Sequence, residues 1–146
     1  MKQPVILGLV ALAFSTPTFA QPQEQMDIGG LIRVPVVGYS ALDPACGGMI
    51  GAASACVVSS TRRYLEDIGQ YTSLITWRSG WQVLEHRGEH YWLERRAADG
   101  TCDQIGVIAT PDPARTGPVA QPDDDVWIRF VARPNVACSI EAESAQ

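Results

Sequence analysis

Trp81 to Arg96, WQVLEHRGEHYWLERR, is the stretch that decides the fold. Apolar and polar residues alternate on both sides of Arg87-Gly88, a break of the kind a tight hairpin wants. The period of two puts Trp81–His86 and Glu89–Arg96 on paired antiparallel strands. With Arg87-Gly88 as the loop, Glu85 faces His90, Val83 faces Trp92 and Trp81 faces Glu94. One face then carries Trp81, Val83, Glu85, His90 and Trp92. The other carries Leu84, His86, Glu89, Tyr91 and Leu93. A three-residue loop would set His86 opposite His90 instead.

Strand patterns continue outward from this hairpin. Thr72–Trp77 precedes it as a strand, with Arg78-Ser79-Gly80 as the turn. Ala98-Asp99-Gly100 follows as another turn, and Thr101–Thr110 is the next strand. Pro111–Asp125 reads as a long loop with prolines at 111, 113, 118 and 122. Val126–Arg133 is a strand with Val126, Ile128 and Phe130 on one face, and Val136–Ile140 is a short last strand. Toward the N-terminus, Leu31–Tyr39 reads as a strand whose Pro35 needs an edge or a bulge. Ala41–Ala55 reads as a small-residue loop. Ser59–Tyr71 is the helix, capped by Ser60, with Tyr64, Leu65, Ile68 and Tyr71 on its apolar face and Gly69 as its stop. Strands joined by tight turns predict a mainly β fold, with α+β as the alternative. The architecture is a curled antiparallel sheet or small barrel with one short helix and two disulfides.

The N-terminus sets the compartment. Lys2 precedes the ten-residue apolar run Val5–Phe14, and Thr18 and Ala20 are the small residues a signal peptidase reads. Residues 1–20 are therefore a signal peptide, too short to span a bilayer. Residues 21–146 form a single secreted β-rich domain, periplasmic or extracellular. All four cysteines lie beyond the cut and read as disulfides. Cys46 with Cys56 and Cys102 with Cys138 is the pairing expected, with the two other connectivities open.

Removing Lys2 leaves ten arginines against sixteen acids, a net charge of −6. That balance excludes nucleic acid and anionic membrane surfaces as partners. His86-Arg-Gly-Glu-His90 lacks the helical context and the Glu placement of a zinc motif. Asp123-Asp124-Asp125 lacks the alternation and glycine of a calcium loop, so it reads as a solvated turn. No nucleophile elbow and no Cys-x-x-Cys is present. No metal, cofactor or catalytic residue is assigned.

What remains is the hairpin. Trp81, Trp92, Tyr91, His90 and Glu85 are the candidate binding residues, with Trp81 and Trp92 as an aromatic platform. The plainer alternative packs both tryptophans against the helix, and Glu85–His90 is then a solvated cross-strand pair. The function expected is a non-enzymatic binding or accessory protein, an inhibitor or a subunit of an envelope complex, that presents a rigid β surface to a protein partner. A small hydrolase or glycan-active enzyme using His86 or His90 is one alternative. A carbohydrate or lipid binder using the two tryptophans is another.

Overall fold

The computed structural model describes residues 23–139 except 50, 52, 79, 113, 115, 116 and 118. The expected signal segment, and the last residues from 140 on, lie outside them. The described residues form eight strands, one α-helix and a 3-10 turn at Cys46–Gly48. β1 (Gln25–Ile28) and β2 (Ile32–Pro35) make a small antiparallel hairpin. β3 (Ala41–Leu42), β4 (Ala55–Ser60), β5 (Gln82–Arg87), β6 (His90–Arg96), β7 (Cys102–Pro111) and β8 (Asp125–Val136) make one open antiparallel sheet in the order β3-β4-β8-β7-β6-β5. Helix α1 (Tyr64–Thr76) links β4 to β5 and packs on one face. The mainly β antiparallel fold with one helix and two disulfides is what the strand patterns predict.

Alternation builds that covered face. Val57 opposes Ile128, Ile128 opposes Ala109, Phe130 opposes Val107, and Leu93 opposes Ile105. Ile68, Tyr71 and Ile75 of α1 and Met26, Ile28 and Val34 of the small hairpin close over this ladder. Tyr71 meets Phe130 edge to face at 5.1 Å, the arrangement the ring quadrupoles favour. Buried Asp67, with no exposed area, accepts a hydrogen bond from Ser59 Oγ at 2.6 Å and another from the Tyr39 amide at 3.1 Å. A carboxylate is tolerated there because its oxygens are supplied with donors.

Several local expectations fail for a physical reason. The helix runs over Tyr64–Thr76 rather than Ser59–Tyr71, so the strand expected over Thr72–Trp77 is helical. Ser59 and Ser60 are taken by the ladder to β8, and Thr61 and Arg62 continue it by bonding Asp124 and Pro122 carbonyls. Ser60 is therefore no cap. Arg63 holds that position without a side-chain capping bond, its guanidinium pairing with Glu66 instead. Gly69 is mid-helix, because buried Tyr71, Thr72 and Ile75 carry the inward face past it. Leu65 points outward at 60% exposure instead of joining that face.

The loop expected over Ala41–Ala55 gives up its two ends to strands, Ala41–Leu42 to β3 and Ala55 to β4. β2 is shorter than Leu31–Tyr39 and ends at Pro35, with one more bond beyond it, from the Val36 amide to the Glu24 carbonyl at 2.8 Å. Val126–Arg133 lengthens into β8, which ends at Val136; among the described residues beyond it the expected last strand does not form, and Cys138 lies outside β8. Both disulfides are as expected, Cys46–Cys56 and Cys102–Cys138. The first holds the loop that covers Trp127, whose indole N–H donates to Asp43 Oδ2 at 2.7 Å. That bond, with those from the Gly47 and Ala45 amides, holds the Asp43 carboxyl below its ordinary range.

Candidate functional site

The hairpin register differs from the expected one in two ways, and both matter for the site. Arg87 pairs with His90, so the turn is Gly88-Glu89 and the pairings of Glu85, His86 and Arg87 move by two residues. A shift of two preserves the faces. Glu85 therefore still shares a face with His90 and Trp92, but it opposes Trp92 rather than His90. A bulge at Leu84 then flips everything before it, and Val83 opposes Leu93. Trp81 ends on the helix side, 4% exposed in the core, under the guanidinium of Arg95 at 4.7 Å. The two-tryptophan platform does not form. Trp81 packs as the plainer alternative had it, whereas Trp92 goes to the other face of the sheet.

That other face carries the site. Trp92 opposes Gly106, and Gly106 opposes Val131. Its six-membered ring sits against Gly106 so closely that a Cβ there would stand 2.9–3.1 Å from three ring atoms. Two residues beyond Val131 on the same face, Arg133 holds its guanidinium 5.4 Å from the Trp92 ring centre. Glu85, Arg87, His90 and Trp92 enclose a shallow depression of about 210 Å³. Glu85 is ion-paired with Arg87. Trp92 is half-buried, and Glu85, Arg87, His90 and Arg133 are exposed.

Tyr91 and His86 are on the helix side, stacked on each other at 4.1 Å with 11° between the rings. His86 Nε2 is also 2.7 Å from the Gly88 carbonyl oxygen. The structure thus brings Trp92, His90 and Glu85 together and separates Tyr91 and Trp81 from them. Arg87 and Arg133 join the group unforeseen. The signal for Arg133 was the odd-numbered row Trp127, Arg129, Val131, Arg133, which falls on the opposite face from Val126, Ile128 and Phe130.

The two ends of this face are closed. The disulfide-bounded loop covers Trp127, with Gly47 at positive φ under its indole. At the far end Glu94 accepts hydrogen bonds from Gln104 Nε2 at 2.8 Å and from the Ser139 amide at 3.1 Å, tying down the chain beside Cys102–Cys138. Between the ends lies a polar and aromatic strip with an excess of arginine.

A second group, Tyr64 with Glu89, lines a cavity of about 220 Å³ with Thr61, Pro111, Ala120 and Val126. The Tyr64 hydroxyl donates to Glu89. Burial first, then the bond to Glu89 and its charge, push the phenol up to about 12. A phenol held protonated this firmly is a hydrogen-bond donor and not a base. Among the described residues no three His, Cys, Asp or Glu side chains are gathered as a metal ion would need. No helix among them is long and apolar enough to cross a membrane. Comparison with protein-family models, with curated proteins and with solved structures finds no match.

Proposed function

We propose that this protein is a non-enzymatic binding protein, secreted or periplasmic, that docks an acidic partner protein on the open face of its sheet around Trp92. The observation that carries the reading is Trp92 itself, held against Gly106 with Arg133 over its ring and with Arg87 and His90 beside it. Tryptophan and arginine are the side chains that dominate binding energy at protein interfaces. Here they stand on paired strands, so little ordering is left to be done on binding.

The charge pattern supports the choice of partner. The chain is acidic, at a net −5 over the full sequence. Arg87, Arg129 and Arg133 nevertheless fall on this one face with Glu85, whose charge Arg87 already offsets. A local excess of guanidinium in an acidic chain selects carboxylates and steers their approach. The two disulfides suit work in an oxidising compartment.

The test is capture from envelope and medium extracts with the oxidised protein as bait, run beside Trp92→Ala and Arg133→Glu. An acidic protein retained by the native bait and lost with both variants supports the reading. Retention unchanged by both variants refutes it. Loss of a bound glycan rather than a protein would move the reading to a carbohydrate binder on the same ring.

A further inference from the structure

Helix α1 turns Ile68, Tyr71 and Ile75 to the sheet and leaves a different row in solvent. Leu65, Gly69, Ser73 and Trp77 are spaced four apart and form one ridge of the helix surface. Leu65 is 60% exposed and Trp77 is 90% exposed. Alongside runs an apolar groove of about 580 Å³ lined by Val37, Gly69, Ser73, Leu74 and Trp77 among others. An apolar patch of this kind on an otherwise charged surface marks an interaction site.

We propose that this row is the interface between two copies of the chain, with their α1 helices crossing antiparallel about a two-fold axis between Gly69 and Ser73. The residue sizes along the row read large, small, small, large, the same from either end. A two-fold axis through its middle therefore sets Leu65 against Trp77 of the second copy, and Gly69 against Ser73. Gly69 and Ser73 let the helices approach closely, and each Trp77 leaves water beside the other copy's groove. The same patch meets itself, as an isologous contact requires.

Charge makes the same choice. Glu66 follows Leu65 and Arg78 follows Trp77, so the crossing brings each Glu66, which also pairs with Arg63 of its own chain at 3.3 Å, to the second copy's Arg78. A parallel crossing would set Glu66 against Glu66 and Arg78 against Arg78. The last residues of the chain, 140–146 (IEAESAQ), bring one isoleucine and two glutamates, too little apolar surface to fill the groove. The row lies on the element that covers the opposite sheet face from Trp92, so the proposal stands independently of the binding role given to that face.

The test is the solution mass of the protein as isolated, disulfides formed, measured by sedimentation and light scattering over a dilution series. A two-chain mass that dissociates on dilution is expected. Gly69→Leu is the deciding variant, because a Cβ at 69 meets nothing within 4 Å in the single chain. The variant should fold, with unchanged circular dichroism, and associate at least about 100-fold more weakly. Glu66→Arg and Arg78→Glu should each weaken association, and the double exchange should restore it. A one-chain mass for the native protein at ~1 mM overturns the proposal, as does a dimer that Gly69→Leu leaves intact. A one-chain mass with Trp77 shielded from iodide also overturns it, and assigns the groove to an apolar segment of the same chain such as Val5–Phe14 where that is retained.

Discussion

Trp92 rests on Gly106, and the two are one unit. The ring occupies the space a side chain at 106 would need, with ring atoms 2.9–3.1 Å from where a Cβ would stand. Gly106 sits mid-strand in β7 at an ordinary extended backbone, so its lack of a side chain is used for packing alone. Gly106→Val should therefore lift the indole off the sheet. The expected outcome is a red shift of tryptophan emission, with about 1–3 kcal/mol lost in a denaturant titration. Trp92→Ala in the Gly106→Val background should recover part of that loss, since the clash is gone.

Tyr64 gives the protein a signature at high pH. Its phenol is pushed up from 10.0 to about 12, by burial first and then by Glu89. The folded chain holds that proton more tightly than the unfolded chain does. The associated stability is therefore intact below about pH 10 and is lost as pH climbs toward 12. An ultraviolet titration of phenolate should find this tyrosine late. Glu89→Gln should bring it part of the way back, because burial remains.

The two disulfides should differ in weight. Their cysteines are 10 and 36 residues apart. On chain-entropy grounds, removing Cys46–Cys56 by paired serine substitution costs about 2.5–3 kcal/mol and removing Cys102–Cys138 about 3.5–4 kcal/mol. Thermal melting of the two variants should rank them in that order. Intact mass of the native protein should be four hydrogens below the fully reduced value.

Asp67 is the polar pin between helix and sheet. Asp67→Ala removes the acceptor of a buried serine hydroxyl and of the Tyr39 amide. An orphaned buried donor costs about 1–3 kcal/mol. Asp67→Ala should lose that much stability, and hydrogen exchange at the Tyr39 amide should quicken. Ser59→Ala should cost less, because the carboxylate keeps its bond from Tyr39.

The parts of this fold legible in the sequence are those where a local pattern and burial agree. Val126, Ile128 and Phe130 alternate in the sequence and line the core in the structure. The disulfides follow from loop position and the two cysteines left over. The helix starts later than its local pattern predicts because a distant strand, β8, claims Ser59 and Ser60 before they can cap anything, and it runs past Gly69 because Thr72 and Ile75 are buried on its inward face. The bulge at Leu84 carries no glycine or proline to announce it, yet it alone decides that Trp81 goes inside. At the site, His90, Trp92 and Glu85 were visible because one hairpin holds them. Arg133 reaches Trp92 only across β7, and no local pattern records which strands lie side by side.

The sheet order also governs when this chain can become itself. Ala55 pairs with Phe130 and Ser60 with Asp125, so β4, with only the short β3 beside it, finds its second partner some seventy residues later in the chain. β5, β6 and β7 pair with near neighbours in the chain and can assemble as they emerge. β8 is the last of the described strands in chain order, and it goes into the middle, between β4 and β7. Until it arrives both of those edges are bare, and a bare edge accepts the wrong strand as readily as the right one. A chain stopped short of residue 125 is thus two unjoined halves, with Phe130 and its core contacts still missing. The sheet is joined only once β8, Asp125–Val136, is in place, and that makes the nascent chain, more than the finished one, the form that needs guarding.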